Sequence, residues 1–196
     1  NFILYKGDYM FKMLYPYEYV NSVFSIDYNK LYQKGFRGII FDIDNTLVHH
    51  GKDSTREIDK LFITIQNIGF KTVLLSNNNE ERVKRFLKGI NSLYICNAEK
   101  PKKKNYIKSV ELMDIKKDKT LFIGDQIFTD ILGANRSGIA NILVDFIRDK
   151  NETKIGKRRQ LEKVIIEFYK NNKFFQHRLG DILKKEENQK NVVKQK

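Results

Sequence analysis

Tryptophan is absent from this chain, cysteine occurs once and proline twice. A single thiol, Cys96, excludes an intrachain disulfide framework and points to a reducing compartment. Cys96 closes the apolar run Leu93, Tyr94, Ile95, so a buried strand position accounts for it better than a reactive thiol. Apolar stretches are short, and none approaches the roughly 20 residues needed to cross a bilayer. Residues 1–13 are too aromatic, and too interrupted by Lys6 and Asp8, for a signal peptide; Met10 is an alternative start. No segment repeats. Acidic residues are few, 24 against 37 Lys and Arg, leaving a formal net charge of +13. That excess attracts nucleic acid, an acidic membrane surface or a phosphorylated ligand without choosing among them. The Lys-rich runs near Lys102 and in the C-terminal tail also fit a merely solvated surface.

What is present is an alternation. With 196 residues, 41% of them hydrophobic, the chain suffices for one packed domain. Gly38–Phe41 reads as a buried strand. Ser54, with Glu57 three residues on, reads as the capping box of a helix carrying Ile58, Leu61, Phe62, Ile65 and Ile68 on one face and closed by Gly69. Thr72–Leu75, Leu93–Cys96, Thr120–Ile123 and Asn141–Val144 are further strands. Between them lie a helix capped by Asn79, one marked by Tyr106, Ile107, Val110 and Met113, and a short one from about Thr129 to Arg136. Strands joined through helices must pair in parallel, so the expected fold is a doubly wound α/β sheet with ligands at the carboxyl ends of its strands. The expected division is an aromatic, irregular or helical collar over 1–36, the α/β domain over 37–170, and a basic, unstructured tail over 171–196. A helical pattern in Ile155, Leu161, Val164, Ile165 and Phe168 precedes that tail.

The strand ends carry the chemistry. The first is followed by Asp42 and Asp44, two carboxylates one residue apart, able to attack a phosphorus and to carry a proton respectively. The others lead to Ser76 beside Asn77, to Lys100 before Pro101, and to Gly124-Asp125 with Asp130 five residues on. A hydroxyl and an ammonium suit phosphoryl oxygens, and clustered carboxylates suit a hard divalent cation. Such a cation and Lys100 would offset the repulsion between an anionic ester and an anionic nucleophile. Other readings exist for each: turn or cap positions for the aspartates and Ser76, a surface lysine for Lys100, a plain loop for His49 and His50. Asn135 and Arg136 fit a structural or a substrate-phosphate role equally.

Asp42-Ile43-Asp44-Asn45-Thr46, Ser76, Lys100 and Gly124-Asp125 with Asp130, in this order, resemble the four motifs of the haloacid dehalogenase (HAD) superfamily. The resemblance implies that Asp42 forms an aspartyl-phosphate and that Asp44 serves as acid and then base. It implies that Thr46 orients the loop and that Ser76 and Lys100 bind the phosphoryl group. Mg²⁺ would be held by Asp42, the Asp44 carbonyl and Asp125, with Asp130 supporting the site directly or through Lys100. An acid at position 44 favours phosphatase over dehalogenase chemistry. Leu14-Tyr15-Pro16, Tyr19-Val20, Gly38–Val48 and above all Gly124–Arg136 look like the YqeG family of HAD-IIIA phosphatases, over about residues 10–170. That family is similar to enzymes that dephosphorylate phosphatidylglycerophosphate. The intervals from Asp42 to Ser76 and from Ser76 to Lys100 are too short for a cap domain. The expectation is thus an uncapped, Mg²⁺-dependent phosphomonoester phosphatase, cytoplasmic and peripheral at the inner face of an anionic membrane. Phe174, Phe175, Leu179, Ile182, Leu183 and the aromatic collar would make interfacial contacts. Alternatives are a phosphatase for a small soluble sugar or nucleotide phosphate, and a non-catalytic basic binding protein on the same scaffold; nucleic acid is not the expected partner.

Overall fold

Gly38–Phe41 (β2) has no residue that reaches solvent, as a strand covered on both faces requires. Its side chains alternate. Ile39 and Phe41 enter one apolar cluster with Phe62, Leu74 and Phe86, and Ile40 enters another with Val73, Tyr106 and Phe122. The computed structural model describes residues 12–147 and 156–184. Residues 1–11, Ile155 of the helical pattern and the tail from 185 on lie outside these.

Six parallel strands stand in the order β1-β6-β5-β2-β3-β4. Besides β2 they are Glu18–Val20 (β1), Lys71–Leu75 (β3), Leu93–Ile95 (β4), Thr120–Gly124 (β5) and Ala140–Val144 (β6). The helices are Tyr28–Gln33 (α1), Arg56–Ile68 (α2), Glu80–Phe86 (α3), Lys103–Met113 (α4), Leu132–Ser137 (α5) and Lys157–Lys170 (α6). A single π-helical turn, Ile127–Ile131, leads into α5. The doubly wound α/β fold expected from the alternation is the fold found.

Local chemistry sets the boundaries. α2 starts one residue later than expected: Thr55, not Ser54, caps it by accepting from the Ile58 N–H, while the Ser54 hydroxyl turns to Asp59 at 2.6 Å. Gly69 ends the helix at φ 112°, and any side chain there would also strike the Tyr32 ring. Asn79 caps α3 as expected. Between β2 and β3 lie only a loop and α2, and between β3 and β4 only α3 and one 3₁₀ turn, so neither interval holds a cap domain.

The flanks differ from the sequence reading. Glu18–Val20 is no collar but an edge strand on β6, and Ile26 and Leu31 are core residues. The stretch 171–184 is not a loose tail: Phe175, Leu179 and Ile182 are buried, the Asp27 N–H donates to the Ile182 carbonyl at 2.8 Å, and Ile26 bridges Leu183. These apolar side chains look solvated in sequence, but Leu179 and Ile182 join Val20, Ile26 and Leu31 in one cluster, and Phe175 packs with Tyr15 and Tyr169 in another. Three of the five residues assigned to interfacial contact therefore face inward, while Phe174 and Leu183 remain exposed. Among the described residues, no helix is long and apolar enough to cross a membrane.

Candidate active site

Register places the chemistry. Because β2 pairs with β3 on one side and β5 on the other, Asp42, Ser76 and Asp125 emerge side by side at the carboxyl edge. Lys100 arrives from the loop after β4, where Asn97 and Glu99 have positive φ. The Lys100 N–H donates to Asn77 Oδ1 at 2.8 Å. The Lys100 ammonium is buried, 2.5 Å from Asp42 Oδ1 and 2.8 Å from Asp130 Oδ1.

Asp130 is completely buried, yet both of its oxygens are engaged. Oδ1 takes Lys100, and Oδ2 accepts from the main-chain N–H groups of Asp125 and Gln126 at 3.2 and 3.0 Å. The π-helical turn brings it back onto its own strand end. Gly124 must be glycine for this, since a Cβ there would lie 2.5 Å from Asp130 Oδ2. Thr46 Oγ1 sits between two carboxylates, 3.3 Å from Asp42 Oδ2 and 3.1 Å from Asp125 Oδ1.

Asp42, Asp125 and Asp130 each present an oxygen such that the three lie within 4.8 Å of one another. Three buried, hard oxygen donors are a set that fits a divalent cation such as Mg²⁺. The electrostatics agree. Burial pushes the Asp42 carboxyl up to about 6, with Lys100 pulling it down and Asp130 pushing it further up. Burial, then the charges of Asp130 and Asp42, push Asp125 up to about 8 despite Arg159. Burial alone would lower the Lys100 ammonium, but Asp130 and Asp42 outweigh it and hold the ammonium above its ordinary range. The cluster is short of positive charge.

Asp44 lies apart from the triad. Burial would raise it, but the Gly51 N–H, the Asn78 amide and Arg82 hold it below the usual carboxylate range. Asn78 Nδ2 is 2.5 Å from Asp44 Oδ2, Arg82 Nη2 is 2.9 Å from Oδ1, and His50 Nδ1 stands 3.5 Å away with an exposed ring. A pocket of about 150 Å³ joins these groups, lined by Asp42, Asp44, His50, Ser76, Lys100 and Gln126 among others.

Every site residue expected from the sequence thus converges on one strand edge, except Asn135 and Arg136. Asn135 binds the Met13 and Tyr15 carbonyls, a structural use. Sequence reasoning missed three residues. Asn78 lies within the Asn77–Asn79 run, where the strand-end signal at Ser76 could have found it. Arg82 is buried on α3, donating also to the Lys52 carbonyl at 2.6 Å. Arg159, at the start of α6, binds the Asp125 carboxylate and, at 2.7 Å, its main-chain carbonyl, and is itself held by Glu162 at 3.0 Å. Nothing distinguishes Arg159 from its basic neighbours in sequence.

The profile of the haloacid dehalogenase-like hydrolases matches residues 53–138. The probable phosphatase YqeG of Bacillus subtilis (strain 168) is 36% identical over 156 residues, which is 79% of this chain and 91% of that protein. Among solved structures, an uncharacterised protein from Listeria monocytogenes serotype 4b is 18% identical with a TM-score of 0.49, the likeness covering 69% of this chain and 99% of that one. The cobalt-bound deoxy-D-mannose-octulosonate 8-phosphate phosphatase of Haemophilus influenzae is 12% identical with a TM-score of 0.46, covering 72% and 92%. On the strength of the identity to YqeG along most of its length, this chain belongs to the YqeG family of haloacid dehalogenase-like phosphatases.

Proposed function

We propose that this phosphatase hydrolyses a phosphomonoester through an aspartyl-phosphate on Asp42, that it uses Mg²⁺, and that its substrate is phosphatidylglycerophosphate met at a membrane surface. The observation that carries the mechanism is the triad of Asp42, Asp125 and Asp130 with Lys100 on two of its members. Asp42, Asp125 and the Asp44 carbonyl would hold the cation, which would supply positive charge against the phosphoryl oxygens. Asp130 holds Lys100 and the loop through its two oxygens and would support the cation directly or through Lys100.

A carboxylate oxygen of Asp42 attacks phosphorus, the bond to the leaving oxygen breaks, and that oxygen takes a proton from Asp44. Water then attacks the aspartyl-phosphate, giving its proton to Asp44 and releasing phosphate. Lys100 and Ser76 bind the equatorial oxygens. Held below the usual carboxylate range, Asp44 suits the water-activating half. Entry of an anionic phosphoryl group beside it raises its proton affinity and prepares the acid half.

The substrate reading rests on three supports. The resemblance of the YqeG family to enzymes that dephosphorylate phosphatidylglycerophosphate favours it, a pocket without a cap domain between its motifs would admit a head group whose acyl chains stay in the bilayer, and the net charge of +13 would hold the chain to anionic lipid. Each basic residue near such a surface contributes about 1 kcal/mol. The test is phosphate release from phosphatidylglycerophosphate in detergent against soluble sugar and nucleotide phosphates, with and without Mg²⁺. The lipid must be the faster substrate; efficient turnover of a soluble monoester with no turnover of the lipid would overturn the substrate. Asp42→Asn is expected to abolish turnover without lowering the melting temperature. Activity above a few per cent in that variant would overturn the nucleophile.

A further inference from the structure

The two oxygens of Asp44 are held from different sides. Oδ1 accepts from Arg82 Nη2 and from the Gly51 N–H, both at 2.9 Å. Oδ2 meets Asn78 Nδ2 at 2.5 Å and His50 Nδ1 at 3.5 Å. Asn78 and His50 line the pocket of about 150 Å³ together with Asp42 and Ser76, whereas Arg82 and Gly51 are not among its walls. Oδ1 is thus turned into the protein and Oδ2 towards the pocket. One short piece of chain does most of the holding. Asn78 precedes α3, Asn79 caps it by accepting from the Arg82 N–H at 3.0 Å, and Arg82 and Arg85, three residues apart, share a side of it. Their guanidinium groups pin the turn that brings Gly51 to Asp44. Arg82 Nη2 donates to the Lys52 carbonyl at 2.6 Å, Arg85 Nη2 to the Gly51 carbonyl at 2.8 Å, and Arg85 Nε pairs with Asp53 at 2.6 Å. The buried Arg82 guanidinium makes no other hydrogen bond among the described residues.

We propose that Arg82 is the positioning residue of proton transfer: it fixes Asp44 Oδ1 and the Gly51–Lys52 turn, so that Oδ2 alone is offered to the leaving oxygen and then to water. The proposal rests on the reading of Asp44 as acid and then base, and adds what aims it. Stability does not account for Arg82, because desolvating a guanidinium and a carboxylate offsets much of their attraction. Aim does. The terminal torsion of an Asp is broad, so a carboxyl without such a grip swings its oxygens out of line. Proton transfer needs a heavy-atom approach of about 2.6–3.2 Å, and a misplacement of about 1 Å can cost a hundredfold in rate. A planar fork can hold the carboxylate and the neighbouring carbonyl at once, which an ammonium does less well. Arg85, exposed and one turn on, secures the same turn from outside without touching Asp44.

Leaving-group dependence separates aim from mere folding. Phenolate is a strong base and needs a proton as its bond to phosphorus breaks, whereas 2,4-dinitrophenolate leaves without one. The full chain with Mg²⁺ is assayed on phenyl phosphate and on 2,4-dinitrophenyl phosphate, and kcat/KM, which reports the first half-reaction, is compared. Arg82→Met is expected to lose about tenfold or more on phenyl phosphate and less than about threefold on the dinitrophenyl ester, the low end of what a placed general acid supplies. Asp44→Asn is the reference and is expected to show the same one-sided loss, larger. Equal losses on both esters in Arg82→Met, or none, beside a one-sided loss in Asp44→Asn would make Arg82 a structural residue and overturn the proposal while the acid–base reading stands. An Asp44→Asn enzyme with no leaving-group dependence would overturn both. If Arg82→Met does not melt cooperatively, Arg82→Lys, which keeps the charge and loses the fork, carries the test: a one-sided loss supports the proposal, and a wild-type ratio of the two esters overturns it.

Discussion

Asp125 has no solvent-exposed side-chain surface, and its two oxygens are divided between Thr46 and Arg159. Arg159 is thus a cation already resting on the carboxylate that would hold the metal. In Arg159→Ala, Lys100 remains as the buried cation beside three carboxylates. The metal-free protein is expected to lose about 2 kcal/mol, the scale of a buried polar group left without its partner. The rise in melting temperature on adding Mg²⁺ is expected to exceed that of wild type. An equal or smaller Mg²⁺ response would show that Arg159 supports the cation instead of competing with it. The same carboxylates set a pH dependence. Asp42 and Asp125 are raised, to about 6 and about 8, so each contributes stability at low pH that is lost as pH rises through those values. Asp44 is lowered, so its contribution is lost only in acid, below the ordinary carboxylate range. Denaturant melts in chelator are therefore expected to show greater stability at pH 5 than at pH 8, with Mg²⁺ narrowing the gap. Stability rising from pH 5 to 8 in chelator would contradict the charge deficit.

At the scale of elements, the turn after β5 does the assembling. The strand ends at Gly124, the π-helical turn carries Asp130 back over it, and Tyr106 on α4 donates to the Thr129 carbonyl at 2.8 Å from beneath. Gly124→Ala would drive a methyl group into the Asp130 carboxyl, 2.5 Å from Oδ2 and 2.6 Å from Cγ. Overpacking of this kind costs about 1–3 kcal/mol. Displacing Asp130 also frees Lys100, so phosphate release is expected to fall at least about tenfold, equivalent to ~1.4 kcal/mol in the barrier. Gly156→Ala, where a Cβ meets nothing within 4 Å, is the matched control and is expected to leave both unchanged. A fully active Gly124→Ala enzyme would show that Asp130 does not govern the site.

At the scale of the whole molecule, the described flanks close the sheet. β1 extends the sheet beyond β6, and residues 171–184 cross back to α1 with Ile182 buried at their tip. Ile182→Ala is expected to cost about 2–5 kcal/mol, the usual range for emptying a core site. Phe174→Ala, three-quarters or more exposed on the same stretch, is expected to change stability little. Thermal melts compare the two directly. Equal, small effects would mean that 171–184 is the loose tail its composition suggests.

Local pattern was enough for the α/β alternation, the strand ends and the convergence of Asp42, Asp44, Ser76, Lys100, Asp125 and Asp130. Each rests on a short-range rule: apolar runs make buried strands, caps begin helices, and parallel strands send their carboxyl ends to one edge. The helix start at Thr55 instead of Ser54 shows the limit even there, because two adjacent hydroxyls compete and the apolar stripe decides. What tertiary structure alone decided are the contacts between distant segments. Glu18–Val20 became a strand because β6 offered an open edge, Leu179 and Ile182 became core in the cluster of Val20, Ile26 and Leu31, and Phe175 became core beside Tyr15 and Tyr169. Arg82 and Arg159 entered the site from helices whose other basic residues stay in water. A lysine-rich sequence is the same whether a given cation is solvated or buried; only the arrival of Asp44 or Asp125 opposite it, 38 or 34 residues away, makes the difference.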